Sequence, residues 1–404
     1  MVPAARLRLF YFLYYGTVGT NLPYFAAYLR GLGYTGEQIG TVQMLPSLAA
    51  PAVAISWASW ADRTGSPARA LRRAALVAVS AAALLPFVRS PLAIGAVLLL
   101  QALGERAVVP LVDSVSLEWS RARPGTSYTG LRLFGSLGFV AIALAVGSAL
   151  AARGERPGDV LVPATVALGV AGYALVARTI PAAPAHPGAR PGLRDLGQLA
   201  REPRLLLFLG ACALHWAACA PYHLFFGVLV RDRGLPSDVT GLGMGAGVAA
   251  EIGALLLFPR LARGLSLRRL LSVAFLGSAV RWVLVSRAEA AGAIVALQLL
   301  HGLTFGLFWG TAMDAMAAFV PGRLRATGQA LFAATVFGAG NALGYQLSGA
   351  GYDHYRSAAP LFAWAGGLEV VALVFALSFL GRRPERSEPR SGQRTGASPV
   401  RQND

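Results

Sequence analysis

Apolar residues in this chain gather into long blocks separated by short stretches rich in arginine, proline and glycine. Twelve such blocks can be drawn, over 8–30, 38–60, 71–88, 91–117, 129–151, 160–178, 204–230, 239–260, 268–286, 290–317, 326–350 and 359–380. Each has close to the ~20 residues that a helix needs to cross a bilayer core. The blocks lack the polar alternation of barrel strands, and backbone polar groups in hydrocarbon must find partners within their own segment. The pattern therefore predicts an all-α membrane protein with twelve transmembrane helices. The first block is read as a span, because it is too long for a signal-peptide core and no A-x-A cleavage pattern follows it.

Composition agrees with this: of 404 residues 55% are apolar and 14% charged, too little charge to solvate soluble domains of that length. The net charge of +17 comes entirely from arginine, since lysine is absent. A pI near 11 in a soluble chain would suggest nucleic acid, but these arginines alternate with the apolar blocks and no DNA-binding motif accompanies them. With the N-terminus in the cytoplasm, the inner loops and tails hold 25 arginines, the outer loops 8 and the spans 3. The excess of positive charge then predicts an inner-membrane protein with both termini cytoplasmic. Arg260, Arg263, Arg268 and Arg269 read as headgroup contacts that fix topology.

The proline-rich stretch 179–203 divides the spans six and six, giving bundles over 1–178 and 204–380, a cytoplasmic linker between them and a disordered tail over 381–404. The halves also match at an offset of about 200 residues. Gly33 to Gly40 lies over Gly234 to Gly241, and Thr129-Gly130 lies over Thr327-Gly328. Six spans per repeat make the two copies parallel, related by an axis along the membrane normal with any site between them.

Ionisable residues inside spans are expensive and are therefore functional candidates. The N-half has Glu105, Arg106 and Asp113 on span four and Arg132 near the inner end of span five; the C-half has Glu251, Arg281 and His301 on spans eight, nine and ten. Counting from the inner ends puts Glu251 roughly 14 Å deep, Arg281 about 20 Å and His301 about 24 Å, close enough for a shared cavity. A carboxylate beside a movable arginine has a tunable proton affinity, which favours proton or substrate handling over a purely structural knot. Asp113 with Arg132 reads first as an ion pair tethering two helices. Glu105 and Arg106 point about 100° apart, so at most one looks straight into a central cavity.

Glu369 and Asp314 have no obvious partner and read as structural or surface groups. His215, His223, Cys212 and Cys219 on span seven lack zinc-ligand spacing and read as helix packing, with no metal and no cofactor expected. The run Gly241 to Gly247 opens a span with no strand before it, so it serves close helix packing. Tyr14, Tyr15, Tyr24, Trp216, Tyr222, Phe225, Phe226, Phe305 and Trp309 read by default as lipid-facing or interface aromatics. Pro23 and Pro221 mark places where spans one and seven can bend.

The stretch Ala61-Asp62-Arg63-Thr-Gly65-Ser-Pro-Ala-Arg69 resembles the loop motif between spans two and three of the major facilitator superfamily, with Trp57 near the place of that motif's leading glycine. Pro110-Leu-Val-Asp113, Tyr128 to Phe139, Ala250-Glu251, Val280-Arg281-Trp282 and Gln298 to Phe305 resemble more closely the branch holding phenylpropionate-type permeases and its relative, lactose permease. The likeness runs over nearly the whole chain. It implies two pseudo-symmetric six-helix bundles and a secondary transporter, not an enzyme. It also implies proton coupling by Glu251, Arg281 and His301 and substrate binding by Arg132. Thr304 stands where that relative has a further coupling glutamate. Asp62, Arg63, Arg69 and Asp113 fall in conformational or structural roles.

Together these readings predict a monomeric, proton-coupled importer of a small organic solute, an aromatic acid or sugar-like molecule, working by alternating access among membrane lipids. Arg132, Arg106, Glu105, Trp216 and Tyr222 are its candidate binding residues. An exporter of amphipathic compounds is the alternative within transport; a membrane-embedded enzyme or a sensor lacks the residues or the soluble domain it would need.

Overall fold

A computed structural model describes residues 3–122, 127–181, 197–321 and 324–379. The central part of the expected linker and the tail over 381–404 lie outside the described residues. Within them the chain forms twelve long helical rods: α1 Pro3–Gly31, α2 Gly36–Thr64, α3 Pro67–Ala82, α4 Pro91–Arg121, α5 Tyr128–Ala152, α6 Leu161–Thr179, α7 Pro203–Asp232, α8 Ser237–Gly264, α9 Leu267–Arg287, α10 Ala291–Phe319, α11 over 325–355 and α12 Ala359–Phe379. Local chemistry sets many of the ends. Thr35 and Gln38 form a reciprocal cap at the start of α2, Ser66, Ser90, Ser127 and Ser266 cap α3, α4, α5 and α9, and Gly65 closes α2 in the left-handed region.

Two rods carry irregular turns. In α10 a short 3₁₀ stretch, Gln298–Leu300, is followed by a π-helical turn at Gly302–Leu307, and α11 has a π segment at Ala333–Gly340. Pro23 leaves α1 continuous, whereas α7 is interrupted at Cys219, two residues before Pro221.

Helices α1–α6 and α7–α12 build two six-helix halves with the same internal packing. In the first half α1 packs on α5 and α6, and α4 on α2 and α3; in the second α7 packs on α11 and α12, and α10 on α8 and α9. The halves meet through α2 with α11, its mirror pair α8 with α5, and α1 with α7. Tyr24, Tyr222, Phe225 and Phe226 lie inside this core, at most 2% exposed. Their expected lipid-facing placement is corrected: Tyr24 donates to the Ala143 carbonyl of α5, Tyr222 packs on Trp282 of α9 and Phe305 of α10, Phe225 stacks on Tyr352 of α11 and Phe226 packs on Tyr222, contacts invisible to a reading of single spans.

Hydrogen bonds between the halves gather at the end remote from the termini. Asp353, at the end of α11, accepts from the backbone N–H groups of Gly36 and Glu37 at 2.7 and 2.8 Å, so it caps the first turn of α2. Glu155, just past α5, does the same for α8, accepting from the Ser237 N–H and hydroxyl at 2.6 Å each and pairing with Arg231 at 3.1 Å. A carboxylate at a helix N-terminus meets both unpaired donors and the positive end of the helix dipole. Backbones touch alongside: a Cβ on Gly36 would overlap the Gly349 carbonyl, and one on Gly227 the Pro23 carbonyl.

At the same end Arg153 donates two hydrogen bonds to Asp159, at 2.7 and 3.1 Å, and the Leu161 N–H donates a third at 2.9 Å. The hydrogen bonds from Arg153 hold the Asp159 carboxyl below the usual carboxylate range. A lowered folded-state value stabilises the fold above the unfolded value, near 4, and the gain is lost as pH falls through the folded value. Asp159→Asn is expected to lower the melting temperature at pH 7, and the loss is expected to shrink as the pH is lowered below about 4. An equal loss at every pH would mean that the side chain acts by shape and not by charge.

Candidate functional site

The C-half charges that the sequence places near one depth are hydrogen-bonded to each other. Arg281, fully buried on α9, donates through Nη2 to Gln298 Oε1 at 2.6 Å and to His301 Nδ1 at 3.3 Å, both on α10. Because His301 Nδ1 accepts, its proton sits on Nε2, which donates to Glu251 Oε2 on α8 at 3.2 Å. The Glu251 side chain is 34% exposed, so the chain of contacts runs from a sealed arginine to a carboxylate that water can reach. The Arg281 guanidinium lies over the rings of Tyr222 at 4.6 Å and Trp282 at 4.2 Å, and its Nε and Nη1 have no hydrogen-bond partner.

The N-half presents a looser set. Arg132 reaches Asp113 at 3.4 Å and lies 5.1 Å over the Tyr15 ring, with 40% of its side chain exposed. Asp113 also accepts from the Tyr11 hydroxyl at 2.6 Å, which ties α4 to α1. Glu105 accepts from Gln101 at 2.8 Å on its own helix and is mostly covered. Its neighbour Arg106 is exposed, and its charge is felt at Tyr14 on α1 and at Tyr345 on α11 of the other half. Tyr15 is in the fields of Arg132 and Asp113 on one side and Glu251 on the other. Tyr15 and Tyr345 each lie near a charged group of the opposite half.

The C-half also carries an aromatic cluster. Trp216 packs edge-on against Phe305 at 5.7 Å and Phe337 at 4.8 Å, and Phe337 stacks on Trp309 at 5.8 Å. The Trp216 Nε1, the Tyr222 hydroxyl and the Asn341 amide oxygen are buried without partners. Unpaired buried polar groups are costly, and beside aromatic rings they are candidates for a solute's hydrogen bonds. An apolar groove of about 740 Å³ between α7, α11 and α12, lined by Pro221, Leu347, Tyr355 and Trp364, has none of the site's charged groups.

One placement differs from the sequence reading. Glu369 is not partnerless: it is fully buried and accepts from Trp282 Nε1 at 3.2 Å, with its other oxygen 2.8 Å from His215 Nδ1. His223 lies buried against Trp216 and Phe305. His215, Cys219 and Glu369 cluster within 4.8 Å, but both ring nitrogens of His215 are engaged, Nδ1 by Glu369 and Nε2 by the Thr304 carbonyl at 3.0 Å. The cluster is a hydrogen-bonded one, with no imidazole lone pair left for a metal. Asp314 is exposed, as a surface group would be.

In the motif loop Arg69 of α3 turns back to donate to the Thr64 carbonyl at the end of α2, at 2.8 Å, and Arg73 covers Trp60 at 4.7 Å. Trp57 donates to the Leu103 carbonyl of α4 at 2.7 Å. Glu155 and Asp353 are residues that sequence reasoning missed. They are 198 positions apart, the same separation as Thr129 and Thr327, so the repeat itself held the signal.

A family model described as the MFS_1 like family matches residues 4–364. The maltose permease of Geobacillus stearothermophilus is 28% identical over 340 residues, covering 83% of this chain and 83% of its own. The probable 3-phenylpropionic acid transporter of Escherichia coli is 29% identical over 322 residues, 77% of this chain and 82% of its own. The crystal structure of the nucleoside transporter NupG superposes with a TM-score of 0.82 at 17% identity, over 95% of this chain and 100% of that one, a likeness of fold. Twelve helices in two like halves among the described residues, and a family match along nearly the whole chain, place it in the MFS_1-like family, as a major-facilitator membrane transporter and not an enzyme.

Proposed function

We propose that the protein is a proton-coupled symporter of a small ring-bearing organic acid, with both termini in the cytoplasm of a bacterial inner membrane. The observation that carries the reading is the line from buried Arg281 through His301 to water-accessible Glu251. A carboxylate at the end of such a line gains or loses its proton according to which side of the membrane the cavity faces. The arginine distribution supports the orientation. With the joined end outside, the conformation described here faces the cytoplasm, as alternating access requires of one of its two states.

For the solute, Trp216, Phe305 and Phe337 offer ring faces, and Arg106 is a cation with no hydrogen-bonded carboxylate among the described residues. An aromatic carboxylate fits both, in line with the phenylpropionate transporter among the relatives. Arg132 is already paired with Asp113, so it contributes to the wall after the solute displaces that pair. The orphaned Trp216 Nε1 and Tyr222 hydroxyl favour a second reading, a hydroxyl-rich sugar.

Thermal melts of the purified protein with 3-phenylpropionate, maltose and uridine separate these readings. Ligand at 100 times its Kd adds about 2.7 kcal/mol to stability, a shift of a few degrees. Stabilisation by 3-phenylpropionate that disappears in Arg106→Gln is expected. Stabilisation by maltose alone, unaffected by that change, would replace the acid with a sugar.

A further inference from the structure

A second ionisable pair is more deeply buried than Glu251. His215 on α7 and Glu369 on α12 are both fully buried, and neither is among the coupling residues considered above. The Thr304 carbonyl can only accept, so His215 Nε2 carries a proton; another proton must lie between Nδ1 and Glu369 Oε2, 2.8 Å apart. The Trp282 N–H on the other Glu369 oxygen favours the ionised carboxylate, which puts that proton on the ring. His215 is then an imidazolium that ties α7 to α10 and α12 at once, sandwiched by Phe308 at 4.0 Å and Phe275 at 5.3 Å.

The groups around it can be counted by element. Cys219 faces it from its own helix with His223 two turns on, Glu369 from α12 with Arg281 and Trp282 of α9 beside that carboxylate, and the Thr304 carbonyl from α10; His301 lies beyond His223, Tyr345 of α11 beyond Cys219 and Glu251 of α8 beyond His301. His301 is neutral by its hydrogen bonds. Arg281 and His215 contribute two positive charges, Glu369 and Glu251 two negative ones, and the sum is zero. Of these four only Glu251 reaches water. Protonating it leaves one uncompensated positive charge in a low-dielectric core, which is costly unless another proton departs.

We propose that His215 is a second proton-binding site, coupled by charge to Glu251. One proton moves between the two: imidazolium plus carboxylate becomes imidazole plus carboxylic acid, no other bond changes, and the set stays neutral. The neutral ring has a single N–H. It can hold Glu369 or the Thr304 carbonyl, but not both, so proton position decides whether α7 binds α10 and α12 together. Its use in driving transport rests on the symport reading; the charge coupling does not.

The test is ¹⁵N-histidine NMR on the full chain lacking His186, His223 and His354, which leaves the resonances of His215 and His301. At pH 7 the parent should show one doubly protonated ring. Glu251→Gln removes a negative charge and should cost more than half of that signal at the same pH, although residue 251 does not touch His215. Retention of the full imidazolium signal in Glu251→Gln overturns the proposal and leaves a static ion pair. Should that variant fail to fold, the parent decides: His215 and His301 resonances shifting with one pH midpoint support coupling, and separate midpoints refute it. Absence of solute transport with the NMR coupling intact would sink the symport reading alone.

Discussion

Replacing Glu251 with Gln should abolish uphill accumulation of solute driven by a pH gradient while solute exchange across the membrane continues. Glutamine keeps the volume of the side chain and still accepts from His301 Nε2, 3.2 Å away in the parent, but it fixes the neutral state. Exchange only cycles the loaded carrier and needs no release of that proton. One pH unit is worth about 1.4 kcal/mol per proton, so one-for-one symport sustains about tenfold accumulation, and the variant should settle near onefold. Proteoliposomes with an imposed pH difference measure both quantities. Accumulation that survives in the variant would assign Glu251 to helix tethering.

Removing the two carboxylates that cap α2 and α8 should shift the protein toward the state open on the outside. Each of Asp353 and Glu155 satisfies N-terminal donors of a helix belonging to the other half, a contact that exists only while that end is closed. A cap contributes about 0.5–2 kcal/mol, and two charged ones together about 2–4 kcal/mol, which moves the closed-to-open ratio by roughly 30- to 900-fold. A cysteine at Thr41, which donates to Gln346 across the seam at 3.3 Å, should then react with an impermeant maleimide from outside. The background should lack Cys212 and Cys219, although both are buried. Because the caps are related by the repeat, Glu155→Ala and Asp353→Ala alone should each give about half the free-energy change of the pair. Unchanged labelling in the double variant would show that backbone packing at Gly36 and Gly227 closes that end without the caps.

The helices were legible because hydrocarbon allows few alternatives. The expected span 129–151 is Tyr128–Ala152 in the structure, and 268–286 is Leu267–Arg287. The rods run longer where polar residues extend them, as in α11 out to Tyr355. The grouping of Glu251, Arg281 and His301 followed from depth, because three ionisable groups at one level in a membrane have few other partners. Depth says nothing about rotation, however. Glu369 looked solitary because its partner is 154 residues away and the angle each helix turns toward its neighbours is set by packing. The same limit hid the burial of Tyr222 and Phe226. The capping carboxylates were hidden differently: Glu155 and Asp353 sit outside the spans, in segments read only for arginine count.

The π turn at Gly302–Leu307 makes the length of α10 part of its specificity. A π turn absorbs one residue more than an α-helix of the same rise, so the segments before and after it are about 100° out of phase. That offset lets His301 face Glu251 on α8 while Phe308, seven residues on, covers His215 on α7. Deleting any single residue between Gly302 and Leu307 would restore a regular helix and turn Phe308 away from His215 with every amino acid at both ends unchanged. Sequences compared position by position across this turn therefore slip out of step, and a one-residue gap there swaps which neighbour the helix addresses.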